Sequence, residues 1–349
     1  MRPLVSILIV NFNGAEFLGN CLDSLDRLQY LNYEIIVVDN ASSDASRILI
    51  ESHRSCKTVW SDQNLGFAGG NNLGLRHCSG ELILLLNSDT VVHPGFLTPL
   101  VDYLDTHPRV QVVQGKMVIP SQSGRLDVCG SYLTPLGFPY HRGYLKPDNA
   151  TTSKNYPIFC GKGACLLLRQ SAIDFAGGFL FDDDFFCYYE ESDFCSRVWI
   201  GGGEVHFVGS GPAIVHLNGA TSGKMGLSTF SLEHYLKNQT FTLCSNLQFT
   251  TALQVTPLYF AMLCASLAWH LIQGKGRASL AHLNALLIPC TDFLKIRARR
   301  RFIHRIRRQS DRSFWGLICI WPGWRYFLLT AQNRLQFFED PTEALGKGT

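Results

Sequence analysis

The stretch LILLLNSDTVV, residues 82–92, runs five aliphatic residues into Asn87, Ser88 and Asp89 and then returns to two valines. An unbroken apolar run of this length, bounded by polar residues, reads as a strand buried on both faces. The same pattern recurs on either side. VSILIV (residues 5–10), EIIVVDN (34–40) and VQVVQGKMVI (110–119) are further apolar, β-branched runs, and KTVW (57–60) is a shorter one. After the first run, Phe17, Leu18, Cys21, Leu22, Leu25 and Leu28 fall on one helical face. Ser43 and Asp44 can cap a helix after the second. Strands buried on both faces and separated by helices predict an α/β fold with a mostly parallel, helix-covered sheet. In such sheets ligands bind beyond the carboxyl ends of the strands. Asn11, Asp39 and Asp89 each stand at or just after such an end.

The 349 residues suffice for one large α/β domain plus an appendage. A net charge of +3 is too small to imply nucleic acid, and the one basic run lacks a nucleic-acid-binding fold around it. The twelve cysteines form no CxxC pair and no Cys/His zinc spacing, so they read as thiols in a reducing cytosol. The N-terminal MRPLVSILIV enters a strand directly and is too short for a signal peptide. Residues 121–156, rich in Gly, Pro, Ser and aromatics, read as a strand-poor loop forming one wall of a site. GKGACLLLRQSAIDFAGGF (161–179) returns to strand, helix and a GG turn.

Near residue 231 the alternation stops, which divides the chain into 1–230 and 231–349. The second part is expected to be helical, with apolar stretches at 251–273, 280–296 and 314–329. The first is nearly long enough to span a bilayer, but Gln254, Pro257 and His270 argue against a clean span. The basic run LKIRARRRFIHRIRRQ (294–309) lies between the last two. Basic residues beside apolar helices favour an anionic membrane surface. Peripheral attachment at the inner face of the cell membrane is therefore the expectation, against a soluble helical subdomain or dimer interface.

Several motifs carry polar chemistry. VVDNASSD (37–44) places Asp39 and Asn40 where a base or ribose can be read, although the same residues make a turn and helix cap. NLGFAGGNNLGL (64–75) puts Gly66 and Gly70 ahead of and inside a helix, where backbone can approach a phosphate closely. It is not GxGxxG and does not follow the first strand, so the dinucleotide fingerprint fails. Asp89 supplies the only charge in Asn87-Ser88-Asp89, and a carboxylate beside a diphosphate needs a bridging Mg²⁺ or Mn²⁺. FDDDFFCYYEESDFCSR (181–197) holds six acids within a dozen residues. Glu190, Glu191 and Asp193 fall in the first turn of a helix, where acids favour the dipole. Like charges packed beside aromatics are expected to raise carboxylate pKa values, which suits a general base.

Taken in order, VSILIVNFNG, EIIVVDNASSD, NLGFAGGNNLGL, GELILLLNSDTVV, FDDDFFCYYEESDFCSR and VHLNGATSG resemble the family 2 glycosyltransferases of GT-A fold, in particular a rhamnosyltransferase-like branch. The match spans roughly residues 4–225. The resemblance implies inverting transfer of a sugar from a nucleoside-diphosphate donor (deoxythymidine or uridine diphosphate) to a glycan or lipid-linked acceptor in cell-surface polysaccharide synthesis. It implies that Asp39 reads the base, that Asn11 and Asn13 lie beneath the nucleotide, and that Asn71 faces the donor. Asn87-Ser88-Asp89 matches the DxD-type motif for metal and diphosphate, with His216 completing the metal site. Glu190-Glu191 matches the Glu-Asp step whose second member is the base, so Glu191 takes that role. Asn87 in place of the first Asp leaves Asp89 as the motif's only charge, and Glu191 carries one methylene more than the usual Asp. A nucleotidyltransferase would carry Arg and Lys in a Gly-rich loop after the first strand, and NFNGAEF has neither. A non-catalytic scaffold of the same fold stays open.

Overall fold

The computed structural model describes residues 2–53, 55–217, 229–331 and 334–338. In chain order it contains β1 (Val5–Asn11), α1 (Ala15–Leu25), β2 (Tyr33–Asp39), α2 (Ser46–Ser52), β3 (Cys56–Trp60), α3 (Gly66–Leu75), β4 (Leu82–Asn87), β5 (Thr90–Val91), α4 (Leu97–Thr106), β6 (Val110–Gly115) and β7 (Met117–Ile119). Four short strands follow: β8 (Arg125–Leu126), β9 (Ser131–Leu133), β10 (Pro139–His141) and β11 (Asn155–Pro157). Then come β12 (Cys165–Arg169), α5 (Ala172–Phe175), α6 (Glu190–Ile200), β13 (Glu204–Val208) and β14 (Ile214–His216). The rest is helical: α7 (Thr229–Asn246), α8 (Phe249–Ile272), α9 (Gly276–Thr291), α10 (Phe293–Ile306), α11 (Asp311–Ile318) and α12 (Trp324–Ala331).

Eight strands form one sheet in the order β11-β13-β6-β12-β4-β1-β2-β3. β3, β2, β1 and β4 are mutually parallel, and so are β13 and β6, while β12 runs antiparallel to both its neighbours. The sheet is thus mixed and mostly parallel. Its aliphatic runs are buried on both faces because they feed two cores. Ile7, Ile9, Val37 and Leu84 pack with Leu18, Leu22, Leu100 and Leu104 of α1 and α4. Leu8, Val38 and Leu85 point the other way, into a core shared with Trp199 of α6 and with Leu236, Leu243, Tyr259 and Phe314 of the C-terminal helices. Each fully buried Leu or Ile contributes about 1.5–3 kcal/mol, so the helices beyond α7 are part of the sheet's support.

The stretch read as one strand, VQVVQGKMVI, is two. β6 lies in the large sheet, whereas β7 joins a four-stranded sheet ordered β5-β14-β7-β8. The break falls at Lys116, whose ammonium is held by Asp148 at 2.9 Å. Residues 121–156 carry four strands of two or three residues each, too short for a periodic signal. The apolar stretch at 314–329 is interrupted at Pro322-Gly323, where Gly323 has φ of +89° and separates α11 from α12.

Candidate active site

Register sets the first half of the site. Asn11, the last residue of β1, lies opposite Asp39, the last of β2, and Val10 lies opposite Asn87, the last of β4. Three polar residues thereby end at one level of the sheet. The Asn11 amide donates to Asp39 Oδ1 at 3.3 Å and to Ser42 Oγ at 3.2 Å, and the Ser42 N–H donates to Asp39 Oδ2 at 3.1 Å. Asn13, at φ of +50°, accepts from the Ser43 N–H at 2.7 Å, so its side chain locks the same turn. Asn11 Oδ1 is buried with no hydrogen-bond partner among the described residues. A Cβ at Gly14 would come within 2.4 Å of that oxygen, so only glycine fits there.

The second strand end is tied to the glycine-rich segment. Asn40 donates to Asn64 Oδ1 and to the Gly66 carbonyl, both at 2.9 Å, and accepts from the Leu65 N–H. Gly66, at φ of +72°, lies against Phe186, and a Cβ at Gly70 would strike Val10 at 2.6 Å. Both glycines therefore serve close packing of α3 on β1 and on the acidic segment. The buried Asn71 amide donates to the Phe67 carbonyl at 2.8 Å.

His216 reaches the third strand end through the small sheet. β14 pairs antiparallel with β5, which sets His216 opposite Thr90. The Leu217 N–H donates to the Asp89 carbonyl at 2.9 Å. The imidazole Nε2 then lies 3.4 Å from Asp89 Oδ1, while Nδ1 lies 2.6 Å from Asp127 Oδ2. Burial works against a charge on His216, but the hydrogen bonds to Asp127 and Asp89 outweigh it and raise its pKa. Burial also opposes ionisation of Asp127, yet the Lys162 ammonium and His216 hold its carboxyl well below the usual range. A cation fits this donor set. With Nδ1–H given to Asp127, the unprotonated Nε2 and the Asp89 carboxylate would be the ligands for a divalent cation, which would supply the positive charge that the Nε2 proton otherwise provides. VHLNGATSG beyond Leu217 lies outside the described residues.

The acidic segment divides into two kinds of carboxylate. Glu190 is 3 % exposed and its Oε2 has no hydrogen-bond partner among the described residues. Burial pushes its pKa well up, and the neighbouring Glu191 adds to the rise. Glu191 is partly exposed; burial raises it too, opposed by backbone N–H groups and by Lys162. Asp193 differs. Its Oδ2 accepts from Arg197 Nε at 2.8 Å and Arg299 Nη2 at 2.7 Å, and its Oδ1 accepts from Asn246 at 2.9 Å. Burial would raise it, but the two guanidinium charges hold it down to about 2. This corrects the expectation that groups Asp193 with the catalytic candidates. Both its oxygens are occupied by cationic and amide donors.

The residues that join these parts were not singled out from the sequence. Lys162 Nζ binds Asp127 Oδ2 at 2.7 Å, the Gly163 N–H donates to Glu191 Oε1 at 2.9 Å, and the Ala164 carbonyl accepts from the Asn87 N–H at 3.3 Å. Three consecutive residues thus touch the His216 relay, the candidate base and the NSD triplet. A Cβ at Gly163 would fall 2.6 Å from Glu191 Oε1, so the alternation Gly-Lys-Gly before a buried strand was the available signal. Asp127 gave none, as a lone acid in a loop. Asn238 of α7 was also unmarked. Its amide donates to the carbonyls of Phe185, Cys187 and Tyr188 at 2.7–3.1 Å. Phe186, Tyr188 and Tyr189 have φ of +58°, +66° and +73°, a conformation costing about 1–3 kcal/mol per residue. Asn238 clamps that strained backbone, which delivers Glu190 and Glu191. A separate surface group, Asp23, Asp26 and His53, lies at the far ends of α1 and α2, away from the strand carboxyl ends.

Residues 6–175 match the family described as glycosyl transferase family 2. The chain is 29 % identical over 204 residues to the low-salt glycan biosynthesis hexosyltransferase Agl10 of Haloferax volcanii, covering 55 % of this chain and 61 % of that one. It spans less than two thirds of the length of the curated relatives it matches first. Among solved structures it resembles the mannosyltransferase PcManGT of Pyrobaculum calidifontis in complex with GDP-Man and Mn²⁺, with a TM-score of 0.51 and 17 % identity over 88 % of this chain and 86 % of that one. It also resembles S. aureus TarS 1-349 in complex with UDP-GlcNAc, with a TM-score of 0.51 and 14 % identity over 86 % and 89 %. The fold is GT-A.

Proposed function

We propose that this chain, whose residues 6–175 match family 2 of the glycosyltransferases, is an inverting, cation-dependent glycosyltransferase that moves a sugar from a nucleoside diphosphate to an acceptor hydroxyl. The observation that carries the reading is the three-residue hub at Lys162, Gly163 and Ala164. It ties the candidate base, the strand-end triplet and the Asp127–His216 relay into one unit at the carboxyl end of the sheet. Neither a nucleotidyltransferase nor a scaffold accounts for an unpaired buried Glu190 beside Glu191, whose ionisation costs stability unless it is used.

In this reading Asp39, Asn11 and Ser42 form the polar floor that takes the nucleoside, and Asn13 holds the turn above it. Asp89 and His216 hold the cation, with Asp127 orienting the imidazole. When bound, the cation supplies charge neutralisation for the departing diphosphate. Glu191 takes the proton from the acceptor hydroxyl as its oxygen attacks the anomeric carbon opposite the leaving group. One displacement inverts the stereochemistry, which is the logic of an inverting glycosidase with a hydroxyl in place of water. The Gly163 N–H orients the carboxylate, and burial raises its pKa, the direction that favours a base.

The donor is a deoxythymidine or uridine diphosphate sugar, with rhamnose taken from the resemblance of the motifs to the rhamnosyltransferase-like branch. The acceptor is a glycan or lipid-linked hydroxyl in cell-surface polysaccharide synthesis, and the enzyme works at the inner face of the membrane. The helical part supports that last point. α8 is 24 residues long, an 18-residue window of it has a mean hydropathy of 1.6, and little of that window is buried. Val255, Tyr259 and Leu263 bury one stripe, while Leu258, Trp269 and Ile272 face outward.

The test is a thermal-shift screen of nucleotide sugars with and without Mn²⁺ or Mg²⁺, followed by the anomeric configuration of the product. A donor that raises Tm only together with the cation, and an inverted product, are expected. No shift and no donor hydrolysis across the panel overturns the reading.

A further inference from the structure

A cavity of about 1300 Å³ opens between the α7–α8 junction and α10, on the side of the molecule that carries the C-terminal helices. Arg297, Arg300, Arg301, Arg305 and Arg307 line one wall, and Phe249 with the first turn of α8 lines the other. Two of the arginines have structural duties. Arg307 binds Asp311 at 2.6 Å, and Arg300 donates to the Cys244 carbonyl at 2.6 Å. Arg297, Arg301 and Arg305 do not. They recur at every fourth position, are exposed, and make no ion pair with a described residue.

That arrangement is unfavourable in the protein alone. α10 contains no acidic residue, and like charges four apart on a helix repel. The guanidinium fork matches a phosphate better than any other common group. The opposite wall helps, because the first turn of the long helix α8 presents free N–H groups and the positive end of its dipole. Around the mouth the surface becomes apolar. Phe249 is 69 % exposed, Leu253 59 % and Leu294 74 %. Cations at the root of an exposed apolar face are the pattern of a segment lying in a headgroup layer.

We propose that this cavity binds the phosphate groups of anionic phospholipids, with the apolar face of α8 and α9 seated in the same bilayer leaflet. The proposal rests on the surface attachment put forward above and adds a defined site to it. It also links that surface to the candidate active site. On its inner side α10 carries Arg299, which binds Asp193 of α6 at 2.7 Å. The helix that meets lipid is therefore also the helix that braces Asp193 on α6, the helix whose first turn carries Glu190 and Glu191.

The test uses the full chain and vesicles of phosphatidylcholine alone or with about one third phosphatidylglycerol, a content that gives an attractive surface potential. Sedimentation with the anionic vesicles only, reversed at about 1 M salt where the Debye length is near 3 Å, is the expected result. The variant R297Q/R301Q/R305Q, whose substitutions keep helix propensity, is expected to partition about a hundredfold less onto anionic vesicles. Its melting temperature and its donor-induced thermal shift stay as in the parent. Equal binding to both vesicle types, or unchanged partition of the variant, overturns the proposal. Release by inorganic phosphate at constant ionic strength also overturns it, in favour of a soluble ligand. A donor shift absent from both proteins while anionic vesicles still bind sinks the transferase reading and leaves this one standing.

Discussion

Glu191 and Asp193 stand two residues apart on α6, and the protein treats their charges in opposite ways. Asp193 lies on the inward side of the helix between Arg197 and Arg299, with Asn246 completing its shell. Glu191 is partly exposed, with backbone N–H groups and the charge of Lys162 for company, and Glu190 beside it is buried without a partner at one oxygen. A buried carboxylate that serves structure is matched with cations and ionises readily. One kept for chemistry is left short of partners, so that accepting a proton stays favourable. The two regions also differ in where their partners come from. Asp193 is held by the C-terminal helices, whereas Glu191 is held by the loop before β12.

The contrast breaks most clearly at Glu191. Glu191→Gln is expected to lower turnover by about 10²–10⁴-fold while leaving the donor-induced thermal shift in place. Turnover close to the parent's would pass the role of base to Glu190 and erase the distinction between the two faces. Asp193→Ala comes next, as a loss of folding. Removing one partner of a buried ion pair costs about 3–5 kcal/mol, and here it strands two guanidinium groups. Denaturant unfolding reads the loss. A change under about 1 kcal/mol would place Asp193 among ordinary surface acids.

The third and smallest effect sharpens the comparison through pH. Asp193 is depressed to about 2, so its contribution to stability is complete above the unfolded value of about 3.9 and fades as pH falls toward 2. Glu190 is raised by burial and then by Glu191, so the sign reverses. It costs nothing below the unfolded value of about 4.3, and it weakens folding as pH rises through that value. Glu190→Gln should match the parent in Tm below about pH 4 and exceed it near pH 8. Equal melting temperatures at both pH values would mean that Glu190 ionises freely.

Much of this was legible in the linear chain. The aliphatic runs at 5–10, 34–40 and 82–87 predict buried strands because only a sheet covered on both faces removes every side chain from water. The polar residue that ends each run marks the ligand-binding edge. The six acids of 181–197 were legible as a cluster, but their division was not, because periodicity gives a face and not the identity of what covers it. The arginines that claim Asp193 include one more than a hundred residues away.

What the sequence determined by itself, then, is the long aliphatic strands of the first half, their order of polar endings, and the presence of an acid-rich helix start and a basic apolar C-terminal part. These follow from local hydrophobic pattern and residue chemistry. Only the tertiary structure decided which acids are left unpaired, that β14 sets His216 against Asp89, and that Lys162, Gly163 and Ala164 join the parts. It also decided that Arg299 faces the core while Arg297, Arg301 and Arg305 face out. Each depends on contacts between residues far apart in the chain, and no local pattern encodes a partner that folding alone brings near.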